Sequence, residues 1–268
     1  MKTTAYRTDN EGWILAVTLI VLVIAGIIAA GPTLCIAPIL VLLMIGLAYA
    51  MNQSSHHDLL RRAKKVSSQT SPQLNLLVHE CQERLDPGEL DVFVVPSRQL
   101  NAYTFGFNPP RAVVLYSSLL EVMDADELKF IVGHEMGHVA LGHTWLNTLL
   151  GGMAGVPVSL GAAVVLTFAF RWWNRACEYS ADRAGLLACG DPRKATTAMV
   201  KLVARDADTP AEVAMVLKAL DRQDDDIGNV LAESMATHPM LIKRINAVNA
   251  YARSAEYQHI LQQVSRKY

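Results

Sequence analysis

The sequence predicts a mainly α-helical catalytic domain with a small antiparallel β-sheet, tethered by an N-terminal pair of membrane-crossing helices. Three observations carry that prediction. Two uncharged apolar stretches open the chain, a segment of ordinary soluble composition begins near Ser71, and a His-Glu-x-x-His pattern follows a helix-start signal within that segment. Composition agrees with a mixed character. Hydrophobic residues make up 51% of the 268 and charged residues only 18%, against roughly 25% charged in soluble domains, so part of the chain belongs in lipid. The formal net charge of -1 leaves no basic footprint for nucleic acid, which is excluded as a partner.

The two apolar stretches run over about 13–30 and 34–51, with Gly31 and Pro32 between them. Each is about 18 residues long, enough for a helix rising 1.5 Å per residue to cross a hydrocarbon core of about 30 Å. So short a connection joins antiparallel neighbours, and residues 1–52 are therefore expected to form a transmembrane hairpin. Arg61, Arg62, Lys64 and Lys65 follow it, whereas the turn between the stretches is uncharged. By the positive-inside rule both ends of the hairpin face the cytoplasm. Residues 53–72 read as a basic juxtamembrane linker, and 73–268 as the catalytic domain. Cys35, Cys81, Cys177 and Cys189 lack CxxC spacing and read as free thiols, consistent with a reducing compartment.

In the domain, Leu76 to Leu85 has helical periodicity, Asp86-Pro87-Gly88 makes a turn, and Asp91 to Val95 and Ala112 to Tyr116 are strand-like. Asp124 with Glu127 has capping-box spacing and starts a helix that carries His134-Glu135-Met136-Gly137-His138. On a helix, positions i and i+4 share a face, so His134 and His138 can hold one zinc ion while Glu135 serves as base toward the water in the open coordination position. Gly133, Gly137 and Gly142 are costly in a helix at about 1 kcal/mol each. Something is expected to approach closely there, such as a metal site and its supporting groups.

A third zinc ligand is required. The spacing that would supply another histidine fails, because Leu141 and Thr144 occupy the relevant positions. A glutamate from a second helix is the alternative: Glu178 fits, and Asp182 one turn on shares its face. That aspartate is suited to hold the outer nitrogen of a ligand histidine. His143 lies on a different face from His134 and His138 and is expected in a supporting role behind the ligands. The apolar insert 145–173 is too short to cross a bilayer twice, which takes about 40 residues. A single crossing would separate Glu178 from the histidines. It is therefore expected either to lie against the membrane or anchor as a short helical pair or to form a buried hairpin.

Several motifs in order, from about Val92 to Ile245, resemble the HtpX-type zinc metallopeptidases, relatives of the CAAX prenyl endopeptidases: Asn101-Ala102-Tyr103, Asp126-Glu127-Leu128, the HExxH with His143 beyond it, Glu178 to Asp182, and Thr237-His238-Pro239 with Arg244-Ile245. The resemblance implies a zincin-like domain of the gluzincin type with one Zn2+ per chain. It also implies an edge strand at Asn101, Ala102 and Tyr103 that pairs with substrate backbone, and His238 and Arg244 lining the site, where either can stabilise the oxyanion. Implied substrates are misfolded or membrane-associated polypeptides, and the implied location is a bacterial inner membrane with the catalytic domain in the cytoplasm. CAAX endopeptidases have many more membrane spans, so prenyl-protein processing is not implied. The alternative is a latent or non-catalytic zinc-binding module for partner interaction, which the intact Glu135 argues against.

Overall fold

A computed structural model describes residues 5–30, 61–106, 109–144, 161–224 and 241–265, with isolated helical positions at 39, 43, 46 and 50. The described part is mainly helical with one four-stranded sheet. Helix α1 spans Asp9–Ala30. Strand β1 (Lys64–Lys65) and helix α2 (Pro72–Leu85) precede β2 (Leu90–Val95), β3 (Ala102–Phe105) and β4 (Arg111–Tyr116). The short α3 (Ser117–Val122) leads into α4 (Ala125–Ala140), which carries the HExxH residues, and α5 (Gly161–Cys189) carries Glu178 and Asp182. Helices α6 (Pro192–Lys201), α7 (Pro210–Asp224), α8 (Leu241–Ala252) and α9 (Ala255–Ser265) complete the order.

The sheet is mixed and not antiparallel as expected. Its order is β1-β2-β4-β3, with β2 and β4 parallel and the two outer pairs antiparallel. The chain makes β3 first and folds back through Gly106, whose φ of 119° only glycine adopts readily. β4 then enters between β2 and β3 and takes the most buried place, with Val113, Val114 and Leu115 fully enclosed. β3 is left as the outer strand. Lys64 and Lys65, expected in a linker, belong to the sheet's other edge, where Lys65 pairs with Asp91 at 2.7 Å.

Helix α4 starts as its sequence requires. Asp124 Oδ1 accepts hydrogen bonds from the Asp126 and Glu127 amides, and Glu127 Oε2 accepts one from the Asp124 amide, closing a reciprocal cap. The same Glu127 oxygen accepts from Lys201 Nζ at 3.0 Å, which pins α6 to the start of α4. The helix is then buried almost to its end at Ala140, and Gly142, with φ of 78°, turns the chain out of it.

The glycines of α4 face another helix. A Cβ at Gly133 would stand 2.3 Å from the Ala188 Cβ, and one at Gly137 would stand 2.7 Å from that of Ala184. On α5, a Cβ at Gly185 would reach 2.7 Å from the Phe130 carbonyl oxygen. The close approach expected from the glycines is therefore made by α5, antiparallel to α4, through backbones with almost nothing between them.

Among the described residues no helix is long and apolar enough to cross a membrane, so the expected two-helix transmembrane hairpin is not seen there. The second stretch, about 34–51, lies outside the described residues apart from its isolated positions. The beginning of α1 packs on α5: Ile14 packs with Trp173, Ala176 and Cys177, Trp13 meets Trp172 edge-on at 5.1 Å, and the Thr18 hydroxyl donates to the Ala169 carbonyl. Further along, Ile20, Val23, Ile24 and Ile27 are exposed. Of the insert, residues 145–160, including Gly155 and Pro157, lie outside the described residues. The rest is the first part of the continuous α5. Cys81, Cys177 and Cys189 are free and buried.

Alanine normally gains about 1 kcal/mol over glycine within a helix, but the seam reverses that preference. Gly185→Ala is expected to lower stability by about 1–3 kcal/mol through overpacking, while Gly12→Ala, where a Cβ meets nothing within 4 Å, is expected to be neutral or stabilising. Urea unfolding of the two variants beside the wild type checks this.

Candidate metal centre

His134 and His138 lie one turn apart on α4, and the α4–α5 seam brings Glu178 to the same face. The two Nε2 atoms are 3.1 Å apart. Glu178 places Oε2 3.7 Å from His134 Nε2 and Oε1 3.5 Å from His138 Nε2. One ligand atom from each residue lies within 4.8 Å of the other two, and all three residues are buried. Atoms bound about 2.0–2.2 Å from a single tetrahedral ion are separated by roughly 3.4 Å, so the triad has the dimensions of a metal site. Two imidazoles and a carboxylate are also a donor set that suits zinc.

The outer side of each histidine is held. His134 Nδ1 is 3.0 Å from Asp182 Oδ1, which makes that nitrogen the donor and leaves the Nε2 lone pair facing the centre. Asp182 also accepts from Arg244 of α8, from Nε at 2.8 Å and from Nη2 at 2.6 Å. A third guanidinium nitrogen, Nη1, reaches Glu178 Oε2 at 2.8 Å. Arg244 thus spans both carboxylates of α5. Burial alone would raise the Asp182 pKa, but the Arg244 charge overrides it and holds the carboxylate below its ordinary range. Burial likewise works against the Arg244 charge, yet Asp182 and Glu178 drive its pKa upward.

Glu135 has no such partner. Burial raises its pKa, and the charges of His134 and His138 offset only part of that. Thr104 on β3 gives it a side-chain hydrogen bond, a contact that nothing in the sequence pattern marked. His138 Nδ1 rests 2.9 Å from His143 Nδ1. Burial pushes His143 down to about 4 despite a favourable contact with Glu11, so its ring is neutral.

A cleft of about 370 Å³ opens over these groups, walled on one side by Asn101, Ala102, Tyr103 and Thr104 and on the other by Phe130 and Ile131. Its floor includes His134, Glu135, His138, Glu178 and Arg244. The structure therefore brings together all the sequence-derived site residues except His238, which lies outside the described residues. Asp182 and His143 stand behind the ligands. Thr104 and Glu11 are the additions. A hydroxyl residue in a short strand and an acid in the opening turn of an apolar helix carry no spacing signal toward residues far along the chain.

Residues 68–252 match the family described as "Peptidase family M48". A chloroplastic protein of Arabidopsis thaliana named plastoglobule-localized metallopeptidase 48 is 27% identical over 75% of this chain, which spans 63% of that relative's length. A protease HtpX homolog of Ralstonia nicotianae is 25% identical over 90% of this chain and 95% of its own. Among solved structures, Ste24p of S. mikatae aligns with a TM-score of 0.49 at 18% identity, covering 88% of this chain and 62% of that one.

Two outcomes follow from the buried charges. Arg244→Leu leaves Asp182 and Glu178 without their cation and is expected to cost about 3–5 kcal/mol of stability, seen by chemical unfolding. Glu135 has a folded pKa above its ordinary value of 4.5, so the unfolded chain gives up that proton at lower pH and metal-free stability falls as pH rises above about 4.5. Metal-free Glu135→Gln is therefore expected to exceed the wild type in melting temperature near neutral pH, with the gap closing toward pH 4.5. A gap that widened on acidification would contradict the assignment.

Proposed function

Because the chain belongs to peptidase family M48 and is a metallopeptidase, we propose that it is a membrane-anchored zinc endopeptidase acting on unfolded or membrane-associated polypeptides from the cytoplasmic side. The observation that carries this reading is the convergence of His134, His138 and Glu178 beside the buried carboxylate of Glu135. When bound, zinc supplies a water of lowered pKa and polarises the scissile carbonyl. The remaining steps belong to the chain. Glu135 takes a proton from the attacking water and delivers it to the leaving amine nitrogen, a role for which a raised pKa is suited. Thr104 donates a hydrogen bond to its carboxylate.

Substrate is held by backbone. β3 is an edge strand, and Asn101, Ala102 and Tyr103 border the cleft, so an extended segment can add to the sheet there without any particular side chain. Such recognition favours unfolded stretches. Arg244 is already engaged by Asp182 and Glu178, and in this proposal it sets the ligand carboxylate in place, leaving the oxyanion to His238. The exposed apolar side chains of α1 beyond Ile20 support lipid contact, with 34–51 as the second member of the anchor. Quality control of proteins at the membrane is the role these features fit.

Detergent-purified protein with one equivalent of zinc is expected to cleave an unfolded casein-type substrate. Glu135→Gln is expected to keep its zinc and lose at least about 100-fold in rate, the scale of a general base. A chelator should abolish cleavage and zinc restore it. Equal cleavage by wild type and Glu135→Gln would refute the mechanism, and zinc-loaded wild type that cleaves nothing would favour a latent or non-catalytic module.

A further inference from the structure

The chain that enters α1 reaches the metal centre from behind. Glu11, 4% exposed, sets Oε1 3.2 Å from Nε2 of His143, which is 1% exposed and whose Nδ1 meets Nδ1 of the ligand His138 at 2.9 Å. That Nε2 has no in-line hydrogen-bond partner, and the Glu11 carboxylate, off the N–H axis at 3.2 Å, is the acceptor charge beside it. The segment bearing Glu11 is fastened on several sides. Arg7 pairs with Glu11 at 3.3 Å and donates to the Leu141 carbonyl at 3.0 Å, and the Thr8 amide donates to Ser180 Oγ at 2.9 Å. Just before it, Tyr251 donates to the Ala5 carbonyl and Tyr6 to that of Leu85.

Given the zinc-peptidase reading above, on which this rests, we infer that Glu11 is a positioning residue for the metal centre: acting through His143, it sets the tautomer and orientation of His138. Metal ligation requires a neutral His138, and two neutral imidazoles meeting Nδ1 to Nδ1 admit two arrangements, since either may donate. Only one serves the centre. If His138 donates, its Nε2 keeps a lone pair toward the metal; if His143 donates, His138 must carry its hydrogen on Nε2, where it faces His134 Nε2 and blocks ligation. The contact between the rings does not decide between these.

Glu11 decides. An ionised carboxylate only accepts, so the single hydrogen of His143 goes to Nε2, facing Glu11. His143 Nδ1 is then an acceptor, His138 Nδ1–H must donate, and His138 Nε2 is free for the metal. The opposite arrangement would set the His143 Nε2 lone pair against a buried carboxylate. His134 receives the same instruction directly from Asp182. His138 receives it through one intervening ring, from a residue on α1. The N-terminal helix is on this account a working part of the peptidase as well as its tether.

The test uses the full chain in detergent. Zinc affinity is measured by competition with a chromophoric chelator for wild type, Glu11→Gln and Glu11→Leu, together with the visible absorption of the Co2+-loaded proteins. Partners behind metal ligands typically carry 10–100-fold in affinity, and Glu11→Leu is expected to lose that much and to shift the Co2+ bands. Glu11→Gln, whose amide oxygen can accept the same His143 hydrogen, is expected to recover most of the affinity. In casein cleavage Glu11→Leu should lower kcat with little change in KM. Wild-type affinity and an unchanged Co2+ spectrum in folded Glu11→Leu would overturn the role of Glu11. Should that variant not fold, 15N spectra of histidine-labelled, metal-free wild type, recorded at a pH where His138 is neutral, decide instead: His143 protonated at Nε2 supports the inference, and His143 protonated at Nδ1 overturns it. A wild type that binds no zinc would remove the metal centre and this role together; a zinc-binding wild type beside an equally tight Glu11→Leu would remove only the latter.

Discussion

The contact between α4 and α5 is the constraint on which the rest of the structure depends. Gly133 and Gly137 on one helix, and Ala181, Ala184, Gly185 and Ala188 on the other, let two backbones touch with hardly a side chain between them. Interhelical distances are ordinarily 8–10 Å and follow the bulk of the contacting residues; residues this small put the pair at the near end of that range. A glutamate side chain spans only a few ångströms. Glu178 therefore reaches His134 and His138 because the seam is narrow, and Asp182, one turn further along α5, reaches the outer nitrogen of His134 for the same reason.

Electrostatics then builds outward from that seam. Glu178 and Asp182 are buried carboxylates, and Arg244 is the cation that spans them. With Glu135 buried beside them, the acids outnumber the guanidinium, and the histidines turn nitrogen lone pairs toward the same point. A protein interior holding surplus negative charge is costly. It is also a good place for a divalent cation, whose charge relieves the excess. The arrangement that makes the empty fold less comfortable is thus the one that prepares it to hold a metal.

Much of the site was legible in the sequence because it is encoded by local spacing. The helical i, i+4 pair, the capping residues Asp124 and Glu127, and the Glu178 and Asp182 turn each require only a helix to be read. The sheet was harder. Asp91 to Val95 and Ala112 to Tyr116 are recognisable strands, but their parallel pairing depends on β3 lying on the far side of β4, a topological fact with no local signature. The glycines correctly signalled a close approach, yet only the fold identifies α5 as what approaches. Glu11 and Thr104 were invisible for a related reason. The apolar stretch beginning at Trp13 dominates its surroundings and draws attention to lipid, whereas the acid just ahead of it turns inward to His143. Arg244 lines the cleft, but its partners are carboxylates that proximity alone reveals.

The division of the centre among distant segments has a consequence for how the protein is made. His134 and Asp182 are 48 residues apart, and Asp182 and Arg244 are a further 62 apart. Translation proceeds at about 5–20 residues per second, so for several seconds the emerging chain carries its histidine pair with no glutamate to complete it. For longer still it lacks the arginine that steadies the acids. A polypeptide bearing a hydrolytic motif thus emerges from the ribosome harmless, and its competence waits until Arg244 has been synthesised.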